Sequence, residues 1–362
     1  MDEMHRMPWG ATTRRSFIRG AAAAMAVTAL PRRVAAAGRT LVVANWKGYG
    51  SDLDWAIADF KAKTGAEVTH QYFGSEQELL QLLANGGVGQ VDVALPNLMY
   101  IKPAIDQGLV QPLDTARIPS YGKVSPALRQ AVAAADGKVY SVPFVWGTND
   151  LFYNASAIAE KLDSWKALWD PKYKGQIAWV DDPTAAVFIA ALALGQDPYN
   201  PNLDDVRKAL IDLKANMKLI YGSADDVIKS YLNKSVTAGQ IWSDTALKIR
   251  VQDASIVSLA PKEGSIGWLD NWAIVKDAPN PDLAYAWIEF MTSPAFQVRW
   301  ATDPDGGSPV PSNADSIAGL DAKTRERLDA RPERLDHAVM QKDVPQDKLT
   351  DWLELWQTVK AS

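Results

Sequence analysis

The chain contains no cysteine, which excludes a disulfide framework, thiolate metal sites and a cysteine nucleophile together. Histidine is almost as scarce. The three histidines, His5, His70 and His337, are too scattered for a metal-binding pair or for a Ser-His-Asp set. No Gly-x-x-x-x-Gly-Lys-[Ser/Thr] loop occurs, and Gly48-Tyr49-Gly50 lacks the third glycine of a dinucleotide fingerprint. The stretch Asp303-Pro304-Asp305-Gly306-Gly307 has neither the alternating acids nor the closing Glu of a calcium loop and reads as a turn. Beyond the first 37 residues no apolar run approaches the roughly 20 residues needed to span a bilayer. No metal and no cofactor is expected, and an exported enzyme is only a remote alternative.

What is present begins with a targeting segment. Thr12-Thr13-Arg14-Arg15-Ser16-Phe17-Ile18 precedes an apolar run from Ala21 to Leu30 and the small residues Ala35-Ala36-Ala37. A charged region, a short apolar region and a small-residue cleavage site make a signal peptide, and the paired arginines point to the twin-arginine translocase as a partner during export. Residues 1–37 are therefore expected to be removed, leaving a soluble protein outside the cytoplasm; without cysteine it is not a lipoprotein. That segment holds six arginines and two acids, so the remainder is more acidic than the whole chain at net −5. An acidic surface argues against nucleic acid and anionic lipid as partners and favours a cationic ligand. Tryptophan is plentiful, with 14 against 8 phenylalanines. Most will fill the core, and some can offer flat faces to a ligand.

Along the chain, Arg39 to Asn45 reads as a buried strand broken by Gly48 and Gly50. Ser51 then caps a helix with Leu53, Ile57 and Phe60 as its buried stripe, ended by Gly65. Glu67–Tyr72 and Val91–Leu95 are strands either side of a helix opened by Ser75 (Glu76 to Ala84). Tyr140–Val145 is extended, Asp163–Trp169 a short capped helix and Gln176–Val180 a strand. The almost wholly apolar Thr184–Leu194 predicts a deeply buried helix. Helices over Leu203–Ala215, Asp225–Asn233, Pro281–Met291 and Lys348–Lys360 alternate with strands over Thr237–Trp242, Ser255–Leu259 and Trp272–Val275. This rhythm predicts an α/β fold of mostly parallel sheets flanked by helices. Its length suggests two lobes: 38–146 with about 271–325, and 147–270 with about 326–362. A ligand cleft would lie between them, at the carboxyl ends of the strands.

Aromatic residues stand beside acids at these strand ends: Trp46 and Tyr49, Asp181-Asp182, Trp242-Ser243-Asp244, and Trp268-Leu269-Asp270 just before a strand. Any one alone reads as a core tryptophan or a helix cap. Together they suit an ammonium group, since aromatic faces attract cations by roughly 0.5–2 kcal/mol each and carboxylates add charge-assisted hydrogen bonds.

The segments Asn45-Trp46-x-x-Tyr49, Phe60-x-x-x-Thr64-Gly65-x-x-Val68, Tyr140 through Gly147 (YSVPFVWG), Ser164-Trp165-x-x-Leu168-Trp169-x-Pro171-x-Tyr173-Lys174-Gly175, Pro261-Lys262-Glu263-Gly264-x-Ile266-x-Trp268-x-Asp270 and Pro309-x-Pro311-x-Asn313 resemble the periplasmic spermidine/putrescine-binding proteins of ABC importers, from about Thr40 to Lys360. The resemblance implies a two-lobe type II periplasmic-binding-protein fold that closes about a hinge on a linear polyamine without catalysis. It implies Trp46 and Tyr49 as one wall of the cleft, Trp242 and Trp268 flanking the alkyl chain, Asp182 and Asp270 on ammonium groups, and Gln341 as a further hydrogen-bonding residue. It also implies a monomer that delivers its small cationic solute to the membrane permease subunits of an ABC importer. The chain departs from the family pattern at Ala185, where an acid is expected, and at Met99 and Ser308, where aromatics are. Those departures leave room for a different solute, such as an opine or an amino-acid-like compound.

Overall fold

The computed structural model describes residues 39–303, 308–330, 334, 338–342 and 344–362; the expected signal segment, His337 and most of the Asp303–Gly307 stretch lie outside the described residues. Strand β1 (Thr40–Asn45), helix α1 (Asp54–Thr64), β2 (Glu67–Tyr72), α2 (Glu76–Leu82), β3 (Val93–Ala94), α3 (Leu98–Asp106) and α4 (Pro126–Ala131) come first. The middle holds β4 (Val142–Asn154), β5 (Ile177–Val180), α5 (Pro183–Leu194), α6 (Leu203–Lys214), β6 (Met217–Tyr221), α7 (Ala224–Leu232), β7 (Ala238–Trp242), α8 (Ser243–Gln252) and β8 (Ile256–Leu259). Then follow β9 (Ser265–Ile274), α9 (Pro281–Thr292), α10 (Pro294–Ala301), β10 (Val310–Pro311), α11 (Ala314–Gly319), α12 (Ala322–Leu328), β11 (Ala338–Met340) and α13 (Gln346–Ala361).

The sheet order is β2-β1-β3-β9-β4-β7-β5-β6. At one end β2, β1 and β3 run parallel; at the other, β7, β5 and β6 do. Between them lie β4 and β9, both buried along their whole length and antiparallel to each other from Val142 opposite Trp272 to Asn149 opposite Ile266. Strand β9 is antiparallel to β3, and β4 to β7. The sheets are therefore mixed rather than mostly parallel, because the two long central strands form one antiparallel pair serving both ends.

The hydrophobic core is divided in the same way. Phe60, Trp272, Trp287 and Phe290 belong to one cluster; Trp165, Trp179, Phe188, Trp352 and Trp356 belong to another. Six fully buried tryptophans are thus accounted for by packing. Helix α5 is buried at every position from Thr184 to Ala191, as its apolar run predicts. Helix α13 lies against α5 and α6, which carries the chain's end back to the second core.

Several local expectations change. Ser51 does not cap α1: Leu53 is the N-cap residue and provides no side-chain cap. The Ser51 hydroxyl instead accepts from the Asn45 amide at 2.7 Å. Ala56 and Phe60 form the buried stripe of α1, with Leu53 and Ile57 only partly covered. Residues Trp165–Trp169 form a 3-10 turn after Ser164 rather than an α-helix. Trp268 and Asp270 lie inside a strand rather than before it, because β9 begins at Ser265 to pair with β4 and with β11.

One glycine ties the second lobe's sheet together. Gly239 on β7 has φ near +151°, and a Cβ there would sit 2.0 Å from the Ala178 carbonyl oxygen of neighbouring β5. Backbone cannot retreat as a side chain can. Gly239→Ala is expected to cost about 3 kcal/mol of stability, read as a lowered urea midpoint; an unchanged midpoint would show that β5 and β7 can part freely.

Candidate functional site

The turn after β1 is built to carry one phenol inward. Asn45 takes the Trp46 backbone N–H on its side-chain oxygen and donates to Ser51. Gly50 has φ near +83°, and its missing Cβ leaves space that the Trp300 ring approaches to 2.8 Å. Tyr49 stands edge-on to Trp300 at 5.7 Å, and its hydroxyl donates to Asp270 Oδ2 at 2.6 Å. Trp46 from the same turn leans on Phe73, ring centroids 4.5 Å apart, and remains partly exposed.

Asp270 is buried on β9. Its second oxygen accepts from the Asn97 side-chain amide at 3.0 Å, and Asn97 forms an isolated backbone bridge with it. The Asn97 backbone N–H donates to Glu76 Oε1 at 3.0 Å. Asn97 thus joins two acids, Glu76 at the start of α2 and Asp270 on the central pair. Burial pushes the Asp270 carboxyl from its ordinary 3.8 up to about 6; the two hydrogen bonds oppose that shift and the charge of Asp244 adds to it. Glu76 is raised well above the ordinary range by burial and then by the charge of Asp270, with that of Asp182 also contributing.

The β7-β5-β6 end of the sheet supplies two more acids. Asp182 caps α5, accepting from the backbone N–H groups of Thr184 at 2.8 Å and Ala185 at 3.2 Å. The Gln341 side chain hydrogen-bonds to it, and burial nevertheless raises its carboxyl. Gln341 is itself held by its backbone N–H on the Gly267 carbonyl at 2.7 Å. Its neighbour Asp181 turns away to Lys360 and Trp356. Asp244 lies in the first turn of α8, with Lys248 Nζ 3.9 Å away; burial raises it and Lys248 opposes the rise.

The aromatic members are less uniform. Trp242 ends β7, partly exposed, edge-on to Tyr221 at 5.5 Å. Trp268, buried on β9, faces Gly147 of β4: a Cβ on that glycine would come within 2.3 Å of the indole and 2.9 Å of Ser243 Oγ. The Trp268 indole N–H has no hydrogen-bond partner among the described residues.

Electrostatics gather these groups into one set. Tyr49 feels Asp270, Asp244 and Glu76; Tyr100, on α3, feels Asp182 and Glu76. Of the residues expected from sequence, Tyr49, Asp182, Asp270 and Gln341 enter this network directly, Trp242 immediately precedes α8 and its Asp244, and Trp268 lies two residues from Asp270. Trp46 contacts Phe73 and is linked to the others through its turn. Glu76, Asn97 and Tyr100 escaped the sequence reading. A Glu directly after Ser75 looks like a first-turn helix acid, and Asn97 looks like the cap it also is; only the fold shows what else they reach. Among the described residues, no group of acids and histidines could hold a metal ion. Four carboxyls, those of Glu76, Asp182, Asp244 and Asp270, are each raised by burial, and Lys248 opposes the rise at Asp244; buried acids of this kind can receive a cation.

The raised Asp270 carboxyl has a consequence for stability. Between about pH 4 and pH 6 the folded chain binds this proton more tightly than the unfolded chain. The stability it contributes is complete below about pH 4 and is lost as pH rises through about 6, with a ceiling of about 3 kcal/mol. Urea unfolding at pH 4.5 and pH 8 should therefore give a smaller difference for Asp270→Asn than for the native chain. Equal differences would place the Asp270 carboxyl in an ordinary, hydrated setting.

A family model described as bacterial extracellular solute-binding protein matches residues 55–328. The spermidine/putrescine-binding periplasmic protein of Escherichia coli (strain K12) is 26% identical over 257 residues, 70% of this chain and 73% of that protein. A solved structure described as a putative spermidine/putrescine ABC transporter from Listeria monocytogenes superposes with a TM-score of 0.78 at 26% identity, covering 89% of this chain and 99% of that one. The protein MotA from A. tumefaciens B6, solved in complex with glucopine, shares the fold at a TM-score of 0.70 and 17% identity, covering 89% and 99%.

Proposed function

Because the chain belongs to the bacterial extracellular solute-binding proteins, we propose that it is a periplasmic receptor for a small organic polyamine, passed to the permease subunits of an ABC importer. The observation that carries this reading is the charge of the site. Glu76, Asp182, Asp244 and Asp270 influence one another or shared neighbours, while among the described residues Lys248 is the cation found to act on them, at Asp244. Withdrawing carboxylates from water costs several kcal/mol per ion unless a counter-charge arrives. A guest with two or more ammonium groups meets that need.

In this reading Asp270 takes one ammonium, with Tyr49 and Asn97 fixing its oxygens. Asp182, oriented by α5 and Gln341, takes another. Trp242 and Trp268 flank the methylene chain between them, and Trp46 with Tyr49 forms the wall on the β1 side. The lobes close about the central strands β4 and β9, near Phe144–Thr148 and Asp270–Trp272, and the closed form is what the importer recognises. Export by the twin-arginine route and action as a monomer complete the proposal. The relatives in E. coli and Listeria are named for spermidine and putrescine, which supports the amine class. The relative solved with glucopine has the same fold, but an opine carboxylate would stand among acids here and be repelled.

A micromolar dissociation constant corresponds to about −8 kcal/mol. Two cation–aromatic contacts of roughly 0.5–2 kcal/mol each and charge-assisted hydrogen bonds at about twice the neutral strength bring that within reach. Calorimetry with putrescine and spermidine should show binding to the native chain, loss of binding for Asp270→Ala and at least tenfold weakening for Trp268→Ala. An ammonium beside Asp270 lowers its pKa, so binding near pH 6 should release protons, and affinity should fall as pH drops below about 6. Unchanged titrations in both variants would remove these residues from the site. A native chain that ignores every amine and binds acids or sugars would remove the amine reading.

A further inference from the structure

Glu76 is held by one oxygen and free at the other. Its Oε1 accepts from the Asn97 backbone N–H at 3.0 Å. Its Oε2 is buried with no hydrogen-bond partner among the described residues. A buried carboxyl oxygen without a donor is costly once the group is charged, and burial with the charge of Asp270 holds Glu76 toward its protonated form until a counter-charge arrives. Packing does not demand an acid here, since the Asn97 contact needs only an acceptor and an amide oxygen would serve.

The placement gives the free oxygen a use. Glu76 belongs to α2, beside the β1–β3 sheet of the first lobe, whereas Asp182 caps α5 in the second. The two interact electrostatically, and Tyr100 feels both. Asn97 alone separates Glu76 from Asp270: its backbone N–H meets Glu76 Oε1 at 3.0 Å and its side-chain amide meets Asp270 Oδ1 at 3.0 Å.

Resting on the amine reading above, we infer that Glu76 is a specificity-determining residue that accepts an N–H from the ligand's second cationic group through Oε2. It makes the site choose diamines over monoamines. Asp270 holds the first ammonium whatever the ligand's length, and Glu76 is engaged only when a second one reaches it. The groups facing it are Asn97, Tyr49, Tyr100, Asp270 and Asp182. Among the described residues none of these is a cation, so a cationic guest would return the cost of ionising Glu76.

The test compares putrescine with butylamine, of equal carbon length and one ammonium fewer, by calorimetry at pH 8. The native chain should prefer putrescine at least tenfold. Glu76→Gln keeps an acceptor for the Asn97 N–H, and it should lose tenfold or more in putrescine affinity with butylamine affinity unchanged and the same melting temperature. Glu76→Asp, which keeps the charge on a shorter arm, should recover part of the loss. Equal losses for both amines would make Glu76 a support for Asn97 and overturn the inference, as would putrescine binding that ignores the substitution. Failure of the native chain to bind either amine would overturn the amine reading, and this inference with it.

Discussion

A buried carboxylate on a strand shared by two lobes is the constraint from which the rest follows. Asp270 sits on β9, which pairs with β3 of one sheet and with β4 along the centre. One phenol and one amide fix its two oxygens, yet neither brings a positive charge. Burial raises its carboxyl to about 6 against the pull of those two hydrogen bonds, and a nearby cation would lower it again. Tyr49 reaches it through a turn opened by glycines, and Asn97 through a backbone bridge. The same Asn97 links Glu76 to the set.

The remaining acids extend this logic across the cleft. Asp182 is drawn into place by a helix terminus, where backbone N–H groups favour a carboxylate, and Gln341 steadies it from the chain's last quarter. Asp244 occupies the first turn of α8. In the proposed reading, these acids repel one another when the lobes approach without a guest, and a polycation would convert that repulsion into attraction. A ligand shifts such an equilibrium only through its differential affinity for the closed form. On the proposed reading, charge would supply that difference and the indoles would add a face for the methylene chain.

Much of the fold was legible in the sequence, for identifiable reasons. β-branched runs marked β1 and β2, Gly65 stopped α1 with its left-handed φ, and the apolar stretch after Pro183 could only be a buried helix. The strands β4 and β9 were seen at one end each, at Tyr140–Val145 and Trp272–Val275. Their true lengths were hidden because strands buried on both faces lack the alternation that reveals an exposed one. The same blindness made Trp268 and Asp270 look like loop residues. For the candidate site, aromatic–acid pairs were the sequence signal: Tyr49 and Asp270 are joined by a hydrogen bond, but Trp268 and Asp270 stand within β9 rather than at its end. Glu76 was not legible. Its local sequence satisfies a helix start completely, and its second role depends on Asn97, which lies far along the chain and is brought beside it only by the packing of α2 against β3 and α3. Tryptophan abundance was an equivocal clue, because six of the rings are spent on packing.

On the proposed reading, the buried acids Glu76, Asp182 and Asp270 call for a guest with more than one positive charge. Native mass spectrometry of the protein released from the periplasm without refolding reads that guest directly. The expected result is a one-to-one adduct whose mass and dansyl labelling identify two or more primary or secondary amines, displaced by added putrescine. A retained carboxylic acid, sugar or single-ammonium solute that putrescine does not displace would contradict it.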